Sequence, residues 1–200
     1  HLWIRRQRQM CIRDSTYPED GWVELEPKKI VETVTNTLNK VVSADIGLEA
    51  CGITNQRETT IVWSKATGEA IYPGIVWQDR RTHEYCSYLK SNGHEPAIKE
   101  KTGLLLDPYF SATKIKWILD NVDGAREKAS RGELLFGTVD SYLIYMLSKE
   151  KNHFTDVTNA SRTLLFNIKS MEWDDELLEL FEIPKTMMPE VLSCDGDFGN

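Results

Sequence analysis

Residues 52–63 read GITNQRETTIVW, and this stretch decides the fold class of the 200-residue chain. An apolar segment over 46–53 leads into it and has the composition of a buried β-strand. The polar cluster at 54–59 follows at once, before another apolar run. Because open α/β sheets bind ligands at the carboxyl ends of buried strands, this order predicts an α/β domain with a polar site at a strand end.

Helix-like and strand-like segments alternate outward from this stretch. Pro27 begins a run of apolar residues at helical spacing, which predicts a helix over 28–42. On the other side, the runs 60–64 and 70–77 flank the turn-forming residues 65–69 and predict a hairpin. Further helices are predicted over 80–89, 97–102, 113–121, 124–131, 139–147 and 174–181. This alternation favours a layered α/β fold, with a mixed sheet flanked by helices.

Composition and charge argue against several functional classes. A net charge of −7 gives nucleic-acid binding no electrostatic basis. No apolar run approaches the roughly 20 residues that a membrane span requires. The cysteines have no paired metal-ligand spacing, and we expect them to be reduced thiols, as in a cytoplasmic protein. They are Cys11, Cys51, Cys86 and Cys194. The sequence predicts no metal site and contains neither common glycine-rich nucleotide motif.

Residues 1–14, HLWIRRQRQMCIRD, differ in composition from the acidic remainder of the chain. They are rich in arginine and contain a single acidic residue. We interpret them as a non-native segment left by cloning or sequence assembly. A basic nucleic-acid arm and a targeting peptide are the alternatives. The fold prediction therefore concerns residues 15–200.

Three segments contain candidate ligand-binding residues. Arg57 can donate through its guanidinium fork and Glu58 can accept, so together they could hold the hydroxyls of a polyol. An ordinary surface ion pair is the alternative. Trp77 ends a predicted strand, where it could wall a pocket or pack in the core. Pro108 fixes the backbone beside Tyr109 at a helix start, which leaves either an available hydroxyl or an ordinary packed tyrosine.

Neighbouring polar residues have structural interpretations. Asp79, Arg80 and Arg81 are expected to cap and solvate the helix that follows them. Ser111 is expected to cap the helix over 113–121. The polar segment 155–162 is either a functional loop or a set of capping residues, and capping is the favoured interpretation.

In order along the chain, these segments resemble the glycerol kinases, a group within the FGGY carbohydrate kinases. The resemblance runs from about residue 17 to the end of the chain, and residues 109–121 also fit the general FGGY signature. The stretches that carry it are GWVELEP (21–27), GITNQRETTIVW (52–63), GIVWQDRRT (74–82), TGLLLDPYFSATKIKWILDNV (102–122), RGELLFGTVDSYLIY (131–145) and TNASRTLLFNI (158–168).

The resemblance implies an actin-like, ribonuclease-H-like ATPase fold, of which this chain would be part of the N-terminal domain. It implies transfer of the γ-phosphate of ATP, bound with Mg²⁺, to glycerol, giving sn-glycerol 3-phosphate. It assigns the glycerol hydroxyls to Arg57, Glu58 and Tyr109, and the carbon chain to Trp77. The whole enzyme is expected to be cytoplasmic and homo-oligomeric.

Two motifs of that family have no counterpart among the 200 residues. One is an opening Asp-Gln-Gly-Thr-Thr-type phosphate loop, and the other is the Gly-Asp-Gln-type motif with the catalytic aspartate, expected beyond residue 200. Residues 15–200 are therefore expected to be a truncated domain that contains no catalytic, metal-binding or ATP-binding residue and is inactive when isolated. Another FGGY polyol or sugar kinase and a non-catalytic polyol-binding module are the alternatives.

Overall fold

A computed structural model describes residues 15–42 and 50–199. The segment 1–14 and residues 46–49 of the predicted strand lie outside the described residues. Residues 50–53, the described end of that strand, have no regular secondary structure, so the prediction is wrong for them. They form no β-ladder with any described strand. An apolar run forms a strand only where a second strand is available to pair with it, and the run itself does not indicate one.

The helices follow the predicted pattern closely. They are α1 (Pro27–Val41), α2 (His83–Ser91), α3 (Glu95–Thr102), α4 (Ser111–Asn121), α5 (Ala125–Ser130), α6 (Val139–Leu147), α7 (Val157–Ala160) and α8 (Asp175–Leu180), followed by a 3₁₀ turn at Lys185–Met187. α2 begins three residues later than predicted, because the Asp79 carboxylate accepts from the backbone N–H of Arg81 and folds that segment into a turn. Ser111 is the first residue of α4 and follows the capping residue Phe110, so the predicted Ser111 cap is wrong.

The strands of the described residues form four small sheets. They are β1 (Ser15–Thr16), β2 (Glu24–Leu25), β3 (Ile61–Ser64), β4 (Gly74–Ile75), β5 (Leu134–Gly137), β6 (Phe154–Asp156), β7 (Phe166–Asn167), β8 (Glu172–Trp173) and β9 (Glu190–Leu192). β1, β2 and β4 form one antiparallel sheet, and β3 pairs antiparallel with β5. β6 pairs in parallel with β9, while β7 and β8 form an antiparallel pair. Parallel and antiparallel pairs therefore both occur, as predicted.

The predicted hairpin over 60–77 is confirmed only in part. Its two arms meet through isolated antiparallel bridges, Thr60 with Ile75 and Trp63 with Ala70. Each arm forms its longer β-ladder with a strand outside the hairpin: β3 pairs with β5, and β4 pairs with β2. Pro73 lies between the two bridges and has no backbone N–H to donate, so a continuous ladder cannot pass it.

The β3–β5 pair lies at the centre of the core with both faces covered. Alternate residues of β3 point to opposite faces, so Ile61 and Trp63 pack with the tyrosines of α6, whereas Val62 packs with the apolar side of α4. A strand buried on both faces reads as an unbroken apolar run, which explains the sequence TIVW. Because Ile61 pairs with Gly137, the polar residues before β3 lie beside those after β5.

The described cysteines, Cys51, Cys86 and Cys194, are free thiols, as expected. In the ranges that the structure describes, no helix has the length and apolarity needed to cross a membrane.

Candidate functional site

Glu58 lies at the centre of the candidate site. Its side chain is 4% exposed, and its carboxylate accepts from Arg162 Nε at 2.7 Å. Its backbone φ of 65° is in the left-handed region, where a residue other than glycine is strained. The alternative interpretation, a surface ion pair between Arg57 and Glu58, is wrong, because the ion-pair partner of Glu58 among the described residues is Arg162.

Tyr109 and Trp77 lie on the same side of the domain as Glu58. Their ring centroids are 5.4 Å apart. The Arg162 guanidinium lies 5.8 Å from the Tyr109 ring centroid and 4.9 Å from that of Phe110. Glu58 and the Tyr109 ring therefore both contact Arg162, as an aromatic ring and a cation attract one another at this distance, and Trp77 joins this cluster through the Tyr109 ring.

Lys114 forms hydrogen bonds to the backbones of both Glu58 and Tyr109. It lies on α4, it is fully buried, and its Nζ donates to the backbone oxygens of Glu58 at 3.1 Å and Tyr109 at 2.7 Å. Burial lowers the pKa of Lys114 to about 7, against the opposing effect of the carboxylates of Asp79, Glu58 and Asp107. A neutral amine still has two N–H groups, so both carbonyls keep a donor on either side of that pKa.

Arg57 faces a separate cavity of about 590 Å³. Its guanidinium is exposed, and the cavity is also lined by Asn55, Asp140, Asp156 and Asn159. The Asn55 amide donates to Asp140 at 3.3 Å and to Asn159 at 3.0 Å, which ties the segment before β3 to the residues after β5. Arg57 and Glu58 therefore lie next to each other in sequence, but their side chains have different surroundings.

The two carboxylates of this cavity differ in their acidity. Burial raises the pKa of Asp140, although Thr138 and Thr155 donate hydrogen bonds to it. Asp156 is partly exposed; burial opposes its ionisation, but hydrogen bonds from Cys194, Thr158 and Asn159 outweigh that effect and lower its pKa to about 2. The Asp156 side chain accepts from the backbone N–H of Asn159 at 2.9 Å, so the predicted capping role of Asp156 is confirmed.

Asp79 and Arg81 have a different role from the predicted one of capping and solvating a helix. The Arg81 side chain is 1% exposed and forms ion pairs of 2.8 Å with both Asp79 and Glu24. Its guanidinium packs against the rings of both Trp22 and Trp117, 3.8 and 4.5 Å from their centroids. Asp79 also accepts from the backbone N–H of Val23. We refer to Trp22, Glu24, Asp79, Arg81 and Trp117 as the Arg81 cluster; it fixes the chain immediately after Trp77.

Two site residues were missed as ligand-site candidates from the sequence. Arg162 was one residue of the polar segment 155–162, and its pairing with Glu58 spans 104 positions. Lys114 lies within residues 109–121, which the resemblance alone singles out. A cation inside an apolar helical stripe was the signal available for Lys114, since buried lysines are rare without a specific partner.

Two observations concern the binding of metal ions and phosphates by the described residues. Within 15–42 and 50–199, no three His, Cys, Asp or Glu side chains are grouped as metal ligands. The cation of the large cavity, Arg57, faces the carboxylates of Asp140 and Asp156, whose negative charge would repel a polyphosphate. The arrangement of Glu58, Arg162, Tyr109 and Trp77 fits an uncharged, hydroxyl-rich ligand better.

Comparisons with known proteins identify relatives of this chain. The chain is 57% identical over 189 residues to glycerol kinase 1 of Pseudomonas aeruginosa, and 59% identical over 188 residues to the glycerol kinase of Oceanobacillus iheyensis. Each match covers 92% of this chain and 38% of the relative, so the chain spans less than two fifths of these proteins.

Solved structures give the same result for the fold. The crystal structure of Plasmodium falciparum glycerol kinase with ADP superimposes with a TM-score of 0.85 at 34% identity, covering 93% of this chain and 38% of that one. A gluconate kinase from Lactobacillus acidophilus, at 24% identity, shares the fold with a TM-score of 0.78, covering 89% of this chain and 35% of that one. The expected actin-like kinase fold is therefore confirmed.

A family model connects these relatives. The model described as the N-terminal domain of the FGGY family of carbohydrate kinases matches residues 5–200. The match covers nearly the whole chain, and it agrees with the mixed α/β architecture. The chain therefore belongs to the FGGY family of carbohydrate kinases and corresponds to the N-terminal domain of that family.

Proposed function

We propose that the protein containing this chain is an ATP-dependent glycerol kinase, and that this chain supplies its glycerol pocket. The proposed reaction transfers the γ-phosphate of ATP to glycerol and yields sn-glycerol 3-phosphate and ADP. The observation that carries the proposal is the cluster in which Arg162 contacts Glu58 and Tyr109, and Trp77 packs against Tyr109. The similarity to glycerol kinases supports it.

The chemistry of these side chains suits a small polyol. Each glycerol hydroxyl donates and accepts a hydrogen bond, so it needs partners of both kinds. Glu58 accepts, and Arg162 bonds to only one of its two carboxylate oxygens. Arg57 donates, and the Tyr109 hydroxyl can do either. The face of Trp77 offers apolar cover for the carbon chain. We assign the glycerol hydroxyls to Arg57, Glu58 and Tyr109, and the carbon chain to Trp77.

Bringing Arg57 to the same ligand as Glu58 requires its side chain to turn from the cavity toward the aromatic cluster. The Arg57 side chain is exposed and can reorient at little cost. Glu58 is held by Arg162 and Lys114 and has no such freedom. We therefore propose Glu58 as the fixed acceptor of the pocket and Arg57 as a donor that moves onto the bound alcohol.

Phosphoryl transfer also requires positioned phosphates, a metal ion and an oriented hydroxyl. Of these requirements, Arg57, Glu58, Tyr109 and Trp77 would provide only the oriented hydroxyl. The sequence contains neither the Asp-Gln-Gly-Thr-Thr-type loop nor the Gly-Asp-Gln motif. We expect the purified 200-residue chain to consume no ATP when glycerol is added. Cytoplasmic location and homo-oligomerisation of the whole enzyme stay predictions.

The proposal is tested with the longest protein that the gene encodes. Glycerol-dependent ADP formation is measured for the wild type, for Arg57→Ala and for the control Arg131→Ala. Arg131 is also exposed but pairs with Glu133, away from the site. Loss of a charge-assisted hydrogen bond to substrate corresponds to a drop in kcat/KM of roughly ten- to a hundredfold. We expect that drop for Arg57→Ala and none for the control.

Other outcomes would select the alternatives. Turnover of a pentulose or gluconate but not of glycerol would make the protein another FGGY kinase. Absence of turnover with every polyol and sugar tested would favour a non-catalytic polyol-binding module. Equal kcat/KM for glycerol in the wild type and in Arg57→Ala would remove Arg57 from the pocket.

A further inference from the structure

The buried lysine of α4 has an unusual set of partners. The Lys114 side chain is inaccessible to solvent, and its Nζ contacts two backbone carbonyls, those of Glu58 and Tyr109. Among the described residues, no carboxylate lies within ion-pair distance of it. Burying an amine in this way is unfavourable unless its N–H groups are satisfied, and the two carbonyls are its direct hydrogen-bond partners, while Asp79, Glu58 and Asp107 act on its charge from longer range.

Both carbonyls belong to residues of the proposed glycerol pocket. Glu58 has a left-handed backbone, a conformation that persists in a non-glycine residue only where surrounding contacts hold it. Arg162 holds the Glu58 carboxylate, and Lys114 holds the Glu58 carbonyl. Tyr109 lies in the turn before α4, where the Asp107 carboxylate accepts from its N–H at 2.9 Å and Lys114 donates to its carbonyl.

We propose that Lys114 is a positioning residue, which sets the separation between Glu58 and Tyr109 by holding both of their carbonyls from within the core. The effect on glycerol binding rests on the proposed function, whereas the effect on the two backbone segments does not. Lys114 itself does not touch the alcohol. It acts through the two residues that do, because a fixed backbone keeps the acceptor and the aromatic ring at a productive distance.

The first test measures hydrogen–deuterium exchange on the 200-residue chain. Lys114→Met removes the donors and keeps the length of the side chain. Lys116→Met is the matched control, because Lys116 lies on the same helix but pairs with Asp120 and Glu182 instead. We expect Lys114→Met to increase exchange about tenfold or more in peptides covering 57–60 and 107–112. Lys116→Met should leave both peptides unchanged.

Two results would overturn the proposal. One is unchanged exchange in both peptides of Lys114→Met, and the other is an equal increase throughout the domain, which would make Lys114 a general core residue. If Lys114→Met does not fold, Lys114→Gln replaces it. The shorter amide cannot span both carbonyls, so faster exchange in the two peptides supports the proposal and unchanged exchange refutes it.

The second test separates positioning from stability with the protein that the gene encodes. A positioning role predicts that Lys114→Met raises the glycerol KM by roughly ten- to a hundredfold and leaves the ATP KM unchanged. A purely structural role would lower activity in proportion to the folded fraction and change neither KM. If the wild type does not phosphorylate glycerol, the proposed function fails, while the exchange experiment still decides the role of Lys114.

Discussion

Replacing Arg81 with methionine is expected to destabilise the protein far more than the same change at its neighbour, Arg80. Arg81 is 1% exposed within the Arg81 cluster. Arg80 is 48% exposed and pairs with Asp107, which is 38% exposed. The two arginines are adjacent in sequence and differ in burial, so each serves as the control for the other.

The magnitude follows from the partners that Arg81 leaves behind. Arg81→Met would leave Asp79, 1% exposed, and Glu24, 8% exposed, as buried carboxylates without their cation. Breaking a buried ion pair in this way costs about 3–5 kcal/mol. Loss of the cation–π contact with Trp22 and Trp117 adds about 1–2 kcal/mol. The exposed pair of Arg80 contributes less than about 1 kcal/mol.

The assay is urea unfolding of the 200-residue chain, followed by circular dichroism and tryptophan fluorescence. We expect Arg81→Met to lower the free energy of unfolding by about 4–7 kcal/mol, or to prevent folding, and Arg80→Met to lower it by less than about 1 kcal/mol. Arg81→Lys retains the charge but not the fork, so it should lie between the two. A difference of less than about 1 kcal/mol between Arg81→Met and Arg80→Met would refute the reasoning.

Two further predictions concern the core. Burial lowers the pKa of His153 to about 4, so between pH 6.5 and 4 the unfolded chain binds a proton at this residue and the folded chain does not. The free energy of unfolding should therefore fall with decreasing pH by up to about 1.4 kcal/mol per pH unit. In urea titrations at pH 7 and 5, His153→Gln should reduce this pH dependence. At Gly137, an added Cβ would clash with Ser141 and lie 2.8 Å from the Trp63 ring, so Gly137→Ala should cost about 1–3 kcal/mol. At Gly52, an added Cβ meets no atom of the described residues within 4 Å, so Gly52→Ala should leave the melting temperature unchanged.

Local patterns predicted the helices well and the strand pairing less well. The helix over 139–147 has the predicted bounds, and Asp174 caps α8 as its position suggests, because caps and helical periodicity are encoded by neighbours in sequence. Strand partners are not local. The sequence over 60–77 predicts that its two strands pair with each other, but β3 has its longer ladder with β5. No feature of residues 60–64 indicates β5 as the partner.

The sequence indicates candidate residues for the site but not the contacts between them. Glu58, Trp77 and Tyr109 were selected from their chemistry and the resemblance, and the structure brings them together. The pairing of Glu58 with Arg162 was not foreseen, because an ion pair between distant positions leaves no periodic signal. The sequence predicts an exposed Arg81, because charged residues are usually exposed. Its contacts with Trp22 and Trp117 depend on the tertiary structure and cannot be read from the sequence.

The pairing of β3 with β5 has a consequence for how the chain is made. Ile61 emerges from the ribosome about 75 residues before Gly137, its partner. At roughly 5–20 residues per second, the apolar strand TIVW waits about 4–15 s without its neighbour. During that interval its unpaired edge can bind any other extended chain. Slower elongation between residues 64 and 134 should therefore increase aggregation during synthesis, and a chaperone that covers extended apolar segments should reduce it.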